Sequence, residues 1–390
     1  MKTSTDTGKP FAAGAFSAGL VLLGLALPLS LVAVEVICGL LLAIILLRFI
    51  LGQKIPISYW DLPFLLFILI RLASAIFSPH PEKIGKGLTY LAFCLAYALT
   101  AWNAQGDLKQ VWPRMIRGLV IGGAIASVVG LIQVAGGAER ATGIYGGWTV
   151  FGSMMGAALA LGVYHAAAGF LFKRRTWDVI SLGIIAAGLA ASICRAEWVA
   201  AILALLPAAI LYYPRYSAAL GAGILVLFLV IVPLRSRLST LANPAANLSG
   251  REVLWQPVAD LLAARPLLGH GLNSFHAIFP QELRPQMTDP GAGDWHNVYF
   301  QVAIESGLLG LVAFMVLLGT GLYAALQGIR RARDPSDAAS AWGLFATLAF
   351  FCITGALGTF LVRISVVVLV FLLLGYAVRR ATEQSGSKAQ

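Results

Sequence analysis

Residues 31–50 read LVAVEVICGLLLAIILLRFI, twenty positions of which only Glu35 and Arg48 are charged. An α-helix rises about 1.5 Å per residue, so about 20 apolar residues cross a hydrocarbon layer roughly 30 Å thick. Comparable stretches run nearly end to end, at 11–29, 61–78, 84–102, 114–135, 148–171, 177–194, 196–213, 217–234, 297–328, 339–357 and 361–378. With 31–50 they predict about twelve transmembrane helices. Composition agrees: 59% of the 390 residues are hydrophobic and 12% charged, about half the charge of an ordinary soluble domain, which excludes a soluble fold. The alternating pattern of a membrane β-barrel is absent, so the sequence reads as an all-α polytopic membrane protein. The first apolar stretch follows Lys2 and Lys9 and runs into Pro28 without a small-residue cleavage site, so it reads as a span and not as a cleavable signal.

Lysine and arginine set the expected orientation, because cytoplasmic loops carry the excess of both. With the N-terminus inside, 17 basic and 7 acidic residues fall on the cytoplasmic face, against 11 and 10 on the other. Both termini are therefore expected in the cytoplasm. The net charge of +11 becomes a topology signal, and nucleic-acid binding has no place in it. Residues 1–234 are read as helices one to nine, 235–296 as one long external loop, and 297–390 as helices ten to twelve with a short cytoplasmic tail. Within the loop, the spacing of Val253, Leu254, Trp255, Val258, Leu261 and Leu262 predicts an amphipathic helix at the membrane interface. Arg265-Pro266 ends that helix and Gly269-His270-Gly271 supplies a tight turn.

The external face collects the ionisable residues that a membrane protein carries only with a partner or a task. Arg71, Arg140, Arg195 and Arg363 lie there, as do His80, His270, His276 and His296. Cys38, Cys94, Cys194 and Cys352 have no metal-ligand spacing and read as small buried hydrophobes.

The pieces Arg140-Ala141-Thr142-Gly143, Ser192-Ile193-Cys194-Arg195, Gly250-Arg251 through Trp255, Arg265-Pro266-Leu267-Leu268-Gly269-His270-Gly271, and His296-Asn297-Val298-Tyr299-Phe300 with Glu305-Ser306-Gly307 occur in that order. In this arrangement the chain resembles the O-antigen ligase and polymerase superfamily. The resemblance covers mainly residues 140–310 and departs at Cys194, where relatives often have serine. It implies a GT-C-like membrane glycosyltransferase of the bacterial inner membrane with a periplasmic active site. The implied donor is a glycan on undecaprenyl diphosphate and the implied acceptor is lipid A-core, making the leading reading an O-antigen ligase of lipopolysaccharide biosynthesis. An O-antigen polymerase and a protein O-oligosaccharyltransferase compete within the superfamily. The single long loop and the short tail argue against them. A lipid-linked glycan transporter is the more distant alternative, disfavoured because the polar residues crowd one face instead of the bilayer midplane.

Transfer from a diphosphate carrier needs a base for the attacking hydroxyl and positive charge for the leaving diphosphate. His296 is the candidate base, since imidazole accepts a proton near neutral pH. Arg195 and Arg265, then Arg140 and Arg251, are the candidate diphosphate binders, because the guanidinium fork matches phosphate oxygens. Arg71, Arg363, Glu35 and Asn297 are candidate supporting residues, with Glu35 expected to pair with Arg71 or Arg363. Glu305 falls on the far helix face from His296 and is read as packing. The sequence holds no D-x-D, and the resemblance is read without a metal or other cofactor.

Overall fold

A computed structural model describes residues 8–103, 108–144, 147–169, 171–215, 250–287 and 292–386. Among these the chain is helical, with no strand. The helices are α1 (Gly8–Ala26), α2 (Leu31–Ile50), α3 (Leu62–Ile76), α4 (Ile84–Cys94), α5 (Ala96–Ala101), α6 (Leu108–Ala135), α7 (Trp148–Ala167), α8 (Arg175–Ala191), α9 (Arg195–Leu211), α10 (Arg251–Trp255), α11 (Val258–Ala264), α12 (Phe275–Ile278), α13 (Val298–Arg330), α14 (Pro335–Gly355) and α15 (Ile364–Gly386). Among the described residues eight helical stretches are long and apolar enough to cross a membrane: Leu31–Ile50, Tyr59–Ile76, Pro81–Ala101, Leu108–Ala135, Trp148–Ala167, Val298–Arg330, Pro335–Gly355 and Ile364–Gln384. Residues 14–26 form a shorter apolar helix, and α8 and α9, of 17 residues each, pack among α6, α7 and α14. The expected span at 217–234 and the loop from 235 to 249 lie outside the described residues.

Apolar pattern decides which helices are interior. In α15 every side chain from Val366 to Leu374 is buried, as expected of a helix that is apolar all round. It is the core helix, packed on α5, α13, α14 and α4. In α2 only Val34, Cys38, Leu41 and Ile45 are buried, one helical stripe, while Val32, Val36, Leu40, Leu46 and Leu47 face outward. Lipid supplies no hydrophobic drive between helices, so close packing must hold them. Between α1 and α6 small residues provide it: a Cβ on Gly118 would meet the Val21 carbonyl oxygen at 2.8 Å, and one on Gly122 the Leu25 carbonyl oxygen at 2.5 Å. Of the cysteines, Cys38, Cys94 and Cys194 are buried and Cys352 is half-buried, none in a disulfide.

Helix direction alternates, so Pro28–Ser30, Ser78–His80, Gly136–Ile144, Ile193–Arg195, His296 and Thr359–Arg363 gather at one end, the His296 end. The arginines at 48, 114, 117, 174, 175, 330, 331, 379 and 380 mark the other. Short-range chemistry sets the helix starts: Ser30 accepts from Ala33 N–H at 3.2 Å, and Asp334 accepts from Asp337 N–H at 2.8 Å with Pro335 opening α14.

Besides the one-residue turn at Leu95 between α4 and α5, two expected continuous helices are broken. The amphipathic helix of the loop is two short ones, α10 and α11, interrupted at Gln256 and Pro257, because proline cannot supply the amide that would continue the first. The expected span at 297–328 is kinked at Gly307, with φ 66° and ψ −171°. A Cβ there would lie 2.1 Å from the Leu267 carbonyl oxygen, so both conformation and space require glycine. The backbone groups freed at the kink find partners in the Pro266–Gly271 turn. Leu308 N–H donates to the Pro266 carbonyl at 2.7 Å, while the Ile304 and Glu305 carbonyls accept from His270 and Gly271 N–H at 2.8 and 2.9 Å. Irregular backbone at membrane depth is tolerated only when buried and paired in this way.

The kink also gathers charge. Arg71 Nη2 lies 2.8 Å from Glu305 Oε2, and its Nη1 donates to Ser306 Oγ at 3.1 Å. Glu305 Oε1 accepts from Asn273 N–H at 2.8 Å and from the Gln301 amide. The expected Glu35 partnership is therefore corrected: Arg71 is paired with Glu305, and Arg363 with Asp294 at 3.2 Å. Glu35 is half-buried on α2. Glu305 fixes packing, consistent with its position away from His296.

Candidate active site

At the His296 end an open pocket of about 930 Å³ is walled by the starts of α7, α9 and α15, the end of α14, and the loop around His296. Each wall has a local cause. The turn before α9 carries Ile193 at φ 54°, a left-handed conformation costly for a β-branched residue. Cys194 is the N-cap and its own side chain makes no capping hydrogen bond, and the first turn of α9 stands at the pocket wall with Arg195 and Ala196. The Cys194 thiol is turned to the Trp148 carbonyl at 3.4 Å.

His296 is likewise held at φ 47°. Its neighbours pin the strain: Trp295 is fully buried among Phe275, Phe279, Val253, Leu254 and Ile304, and its carbonyl accepts from Trp255 Nε1 at 2.9 Å. On the other side Asn297 caps α13, accepting from Tyr299 and Phe300 N–H at 2.9 and 3.1 Å, while its amide donates to the Ala356 carbonyl at 2.9 Å. Asn297 therefore ties α13 to the end of α14. This second, small apolar core docks the loop and brings Arg251, the first residue of α10, to the pocket.

The structure brings together five of the residues singled out from sequence: Arg140, Arg195, Arg251, Arg363 and His296 all line the pocket. Arg140 stacks over Trp148 at 5.0 Å. Arg265 does not join them, being the exposed residue after α11, and Arg71, Glu35 and Asn297 also lie off the wall. Sequence reading missed two carboxylates. Glu197, in the first turn of α9, is buried at the pocket and accepts from Ser153 Oγ at 3.3 Å. Asp294, 3% exposed, accepts from His296 N–H at 2.8 Å and from Arg363 Nη2 at 3.2 Å. Their signals were an acid within two residues of Arg195 and of His296, a spacing too common to single out.

Four arginines against these two carboxylates leave the site with an excess of positive charge. Burial lowers the Arg251 pKa from its ordinary value, and the carboxylates of Glu197 and Asp294 oppose that shift. Among the described residues no group of three or more His, Cys, Asp or Glu side chains is placed to hold a metal ion. The arrangement offers a cationic, anion-accepting wall, a helix start and an imidazole in one cavity.

Residues 179–315 match the family model Wzy_C, described as O-Antigen ligase. Over that segment the chain is similar to the O-antigen ligase family. The matched segment contains Arg195, Glu197, Arg251, Asp294, His296 and the Glu305 kink, whereas Arg140 and Arg363 come to the pocket from outside it. No curated protein matches the chain. O-antigen ligase family members are membrane enzymes of the glycosyltransferase type, with a lipid-linked glycan and a lipid acceptor as partners.

Proposed function

We propose that this protein is an O-antigen ligase that transfers a glycan from undecaprenyl diphosphate to lipid A-core, with the pocket on the periplasmic side of the inner membrane and both termini in the cytoplasm. One observation carries the reading: His296 and four arginines, drawn from separated parts of the chain, line a single pocket. Arg195, Arg251 and Arg140 bind the diphosphate, helped by the α9 start, and stabilise the charge that grows as the glycosidic bond breaks. His296 accepts the proton of the attacking acceptor hydroxyl as the new carbon–oxygen bond forms. Arginine supplies the charge that a divalent ion supplies in metal-dependent transferases, so the reaction proceeds without a metal. Arg265 is left as an exposed residue that can meet lipid headgroups.

Reconstitution of the purified protein with an undecaprenyl-diphosphate glycan, lipid A-core and excess chelator tests this directly. Glycan appearing on lipid A-core supports the ligase. Elongation of the lipid-linked glycan without transfer to lipid A-core supports the polymerase instead, and restoration by one added divalent metal would reject the role given to arginine.

A further inference from the structure

Asp294 occupies a position that neither packing nor the proposed diphosphate chemistry explains. Its carboxylate is buried beside a pocket whose charge is already dominated by arginine, and it reaches two of the pocket's groups at once. Oδ1 accepts the His296 backbone N–H at 2.8 Å and lies 3.7 Å from His296 Nδ1; Oδ2 lies 3.2 Å from Arg363 Nη2. Thus one oxygen faces the imidazole and the other faces Arg363, the residue just before the core helix α15. The same two-residue hop from Asp294 to His296 contains the left-handed φ of His296, so the carboxylate also closes the turn that aims the ring.

Building on the base role given to His296 above, we propose that Asp294 is a positioning residue for the transfer, holding the imidazole with Nδ1 toward its own carboxylate and Nε2 toward the acceptor, and balancing the imidazolium that forms. The chemistry is that of a neutral imidazole with two unequal nitrogens. A carboxylate facing Nδ1 favours the proton there and leaves the Nε2 lone pair for the acceptor hydroxyl. During transfer the hydroxyl proton passes to Nε2, the acceptor oxygen bonds to the sugar carbon, and the bond from that carbon to the diphosphate oxygen breaks with its electron pair leaving on the diphosphate. Asp294 takes no proton in this step; Arg363 holds the second oxygen so that the first stays on the histidine.

The charged groups of the surrounding walls make the role testable. The pocket that His296 lines is also lined by Arg363 just before α15, Arg251 at the start of α10, Arg195 and Glu197 in the first turn of α9, and Arg140 in the loop before α7. Removing a carboxylate beside an imidazolium lowers the pH at which the ring deprotonates, whereas removing a neighbouring cation raises it. The acid limb of the kcat profile should therefore move to lower pH in Asp294→Asn, by about one unit or more, and to higher pH in Arg363→Ala. Turnover should fall at least about tenfold in Asp294→Asn, with little change in donor KM. Asp294→Glu, which keeps the charge, should return the limb toward the wild-type position even where kcat stays low. A side chain that merely folds the loop would lower the yield of active protein in both variants and leave both limbs where they were, and that result overturns the assignment. His296→Ala, assayed alongside, separates the two ideas. Near-normal transfer there removes the base and Asp294's role with it, while loss of transfer together with unmoved limbs in the Asp294 and Arg363 variants rejects the role of Asp294 alone.

Discussion

The start of α13 and its kink, His296 and Glu305, are close in sequence and use the same residue types, yet they solve opposite problems. Around Glu305 charge is closed on itself: Arg71 gives one Nη to the carboxylate and the other to Ser306, and Asn273 and Gln301 take the remaining oxygen. Around His296 positive charge is in excess, four arginines lining a cavity with two carboxylates among them. A buried pair whose opposite charges meet each other specifies geometry and offers no net charge to a ligand. A cationic wall with fewer acids than bases is held together by the fold and is completed by an anion. Replacements at the kink should therefore cost the protein itself, and replacements at the pocket should cost turnover alone.

The sharpest break in that comparison is His296→Ala. Turnover should fall by roughly 10²- to 10⁴-fold, the usual range for loss of a general base, with the amount of inserted protein unchanged; His296→Gln, which keeps hydrogen bonding without the proton affinity, should fail as well. Glu305→Met tests the other side. Leaving Arg71 buried without its partner should cost about 3–5 kcal/mol, read as loss of folded protein from the membrane, while the double change Arg71→Met with Glu305→Met should recover much of the yield. If Glu305→Met instead accumulates normally but cannot transfer, the kink belongs to the site and the division fails.

The lysine series comes next. Arg195→Lys or Arg251→Lys keeps charge and loses the fork, so transfer should drop while insertion stays normal, whereas Arg265→Lys, away from the pocket, should stay near wild type. The smallest effect concerns acid stability. Burial depresses the His270 pKa below its ordinary 6.5, as do Arg265 and His80, although its hydrogen bond to the Leu261 carbonyl acts the other way. A histidine with a lowered folded pKa is bound to fewer protons than in the unfolded chain, so its stabilising contribution is present above the unfolded value and is lost as pH falls through 6.5 toward the folded one. Thermal unfolding of the purified protein should lose stability over that interval, and less so in His270→Gln.

Both regions were visible in the sequence as motifs, and in neither was the full set of contacts legible. Membrane spans were legible because a 20-residue apolar run has few other uses; the kink was not, because Glu305-Ser306-Gly307 interrupt the apolar run too briefly to end a span. The pocket arginines were legible as charges stranded among spans, yet which of them converge depends on how the loop docks. Arg265 and Arg251 look alike in sequence, flanking the same amphipathic stretch, but Pro257 splits that stretch and only Arg251 is turned inward. Asp294 and Glu197 were invisible for a related reason: their importance lies in Arg363 beside the one and Arg251 near the other, contacts that no local spacing encodes.

The claim that the open charge belongs to a diphosphate carrier is tested most directly by covalent mapping. A photoreactive polyprenyl-diphosphate glycan, activated on the purified protein and located by peptide mass spectrometry, should label segments containing Arg195, Arg251 or His296. Labelling should be suppressed by unlabelled undecaprenyl diphosphate and reduced in Arg195→Lys. Label concentrated at the end of the bundle that carries Arg330 and Arg380, unaffected by that competitor or that substitution, would contradict the account.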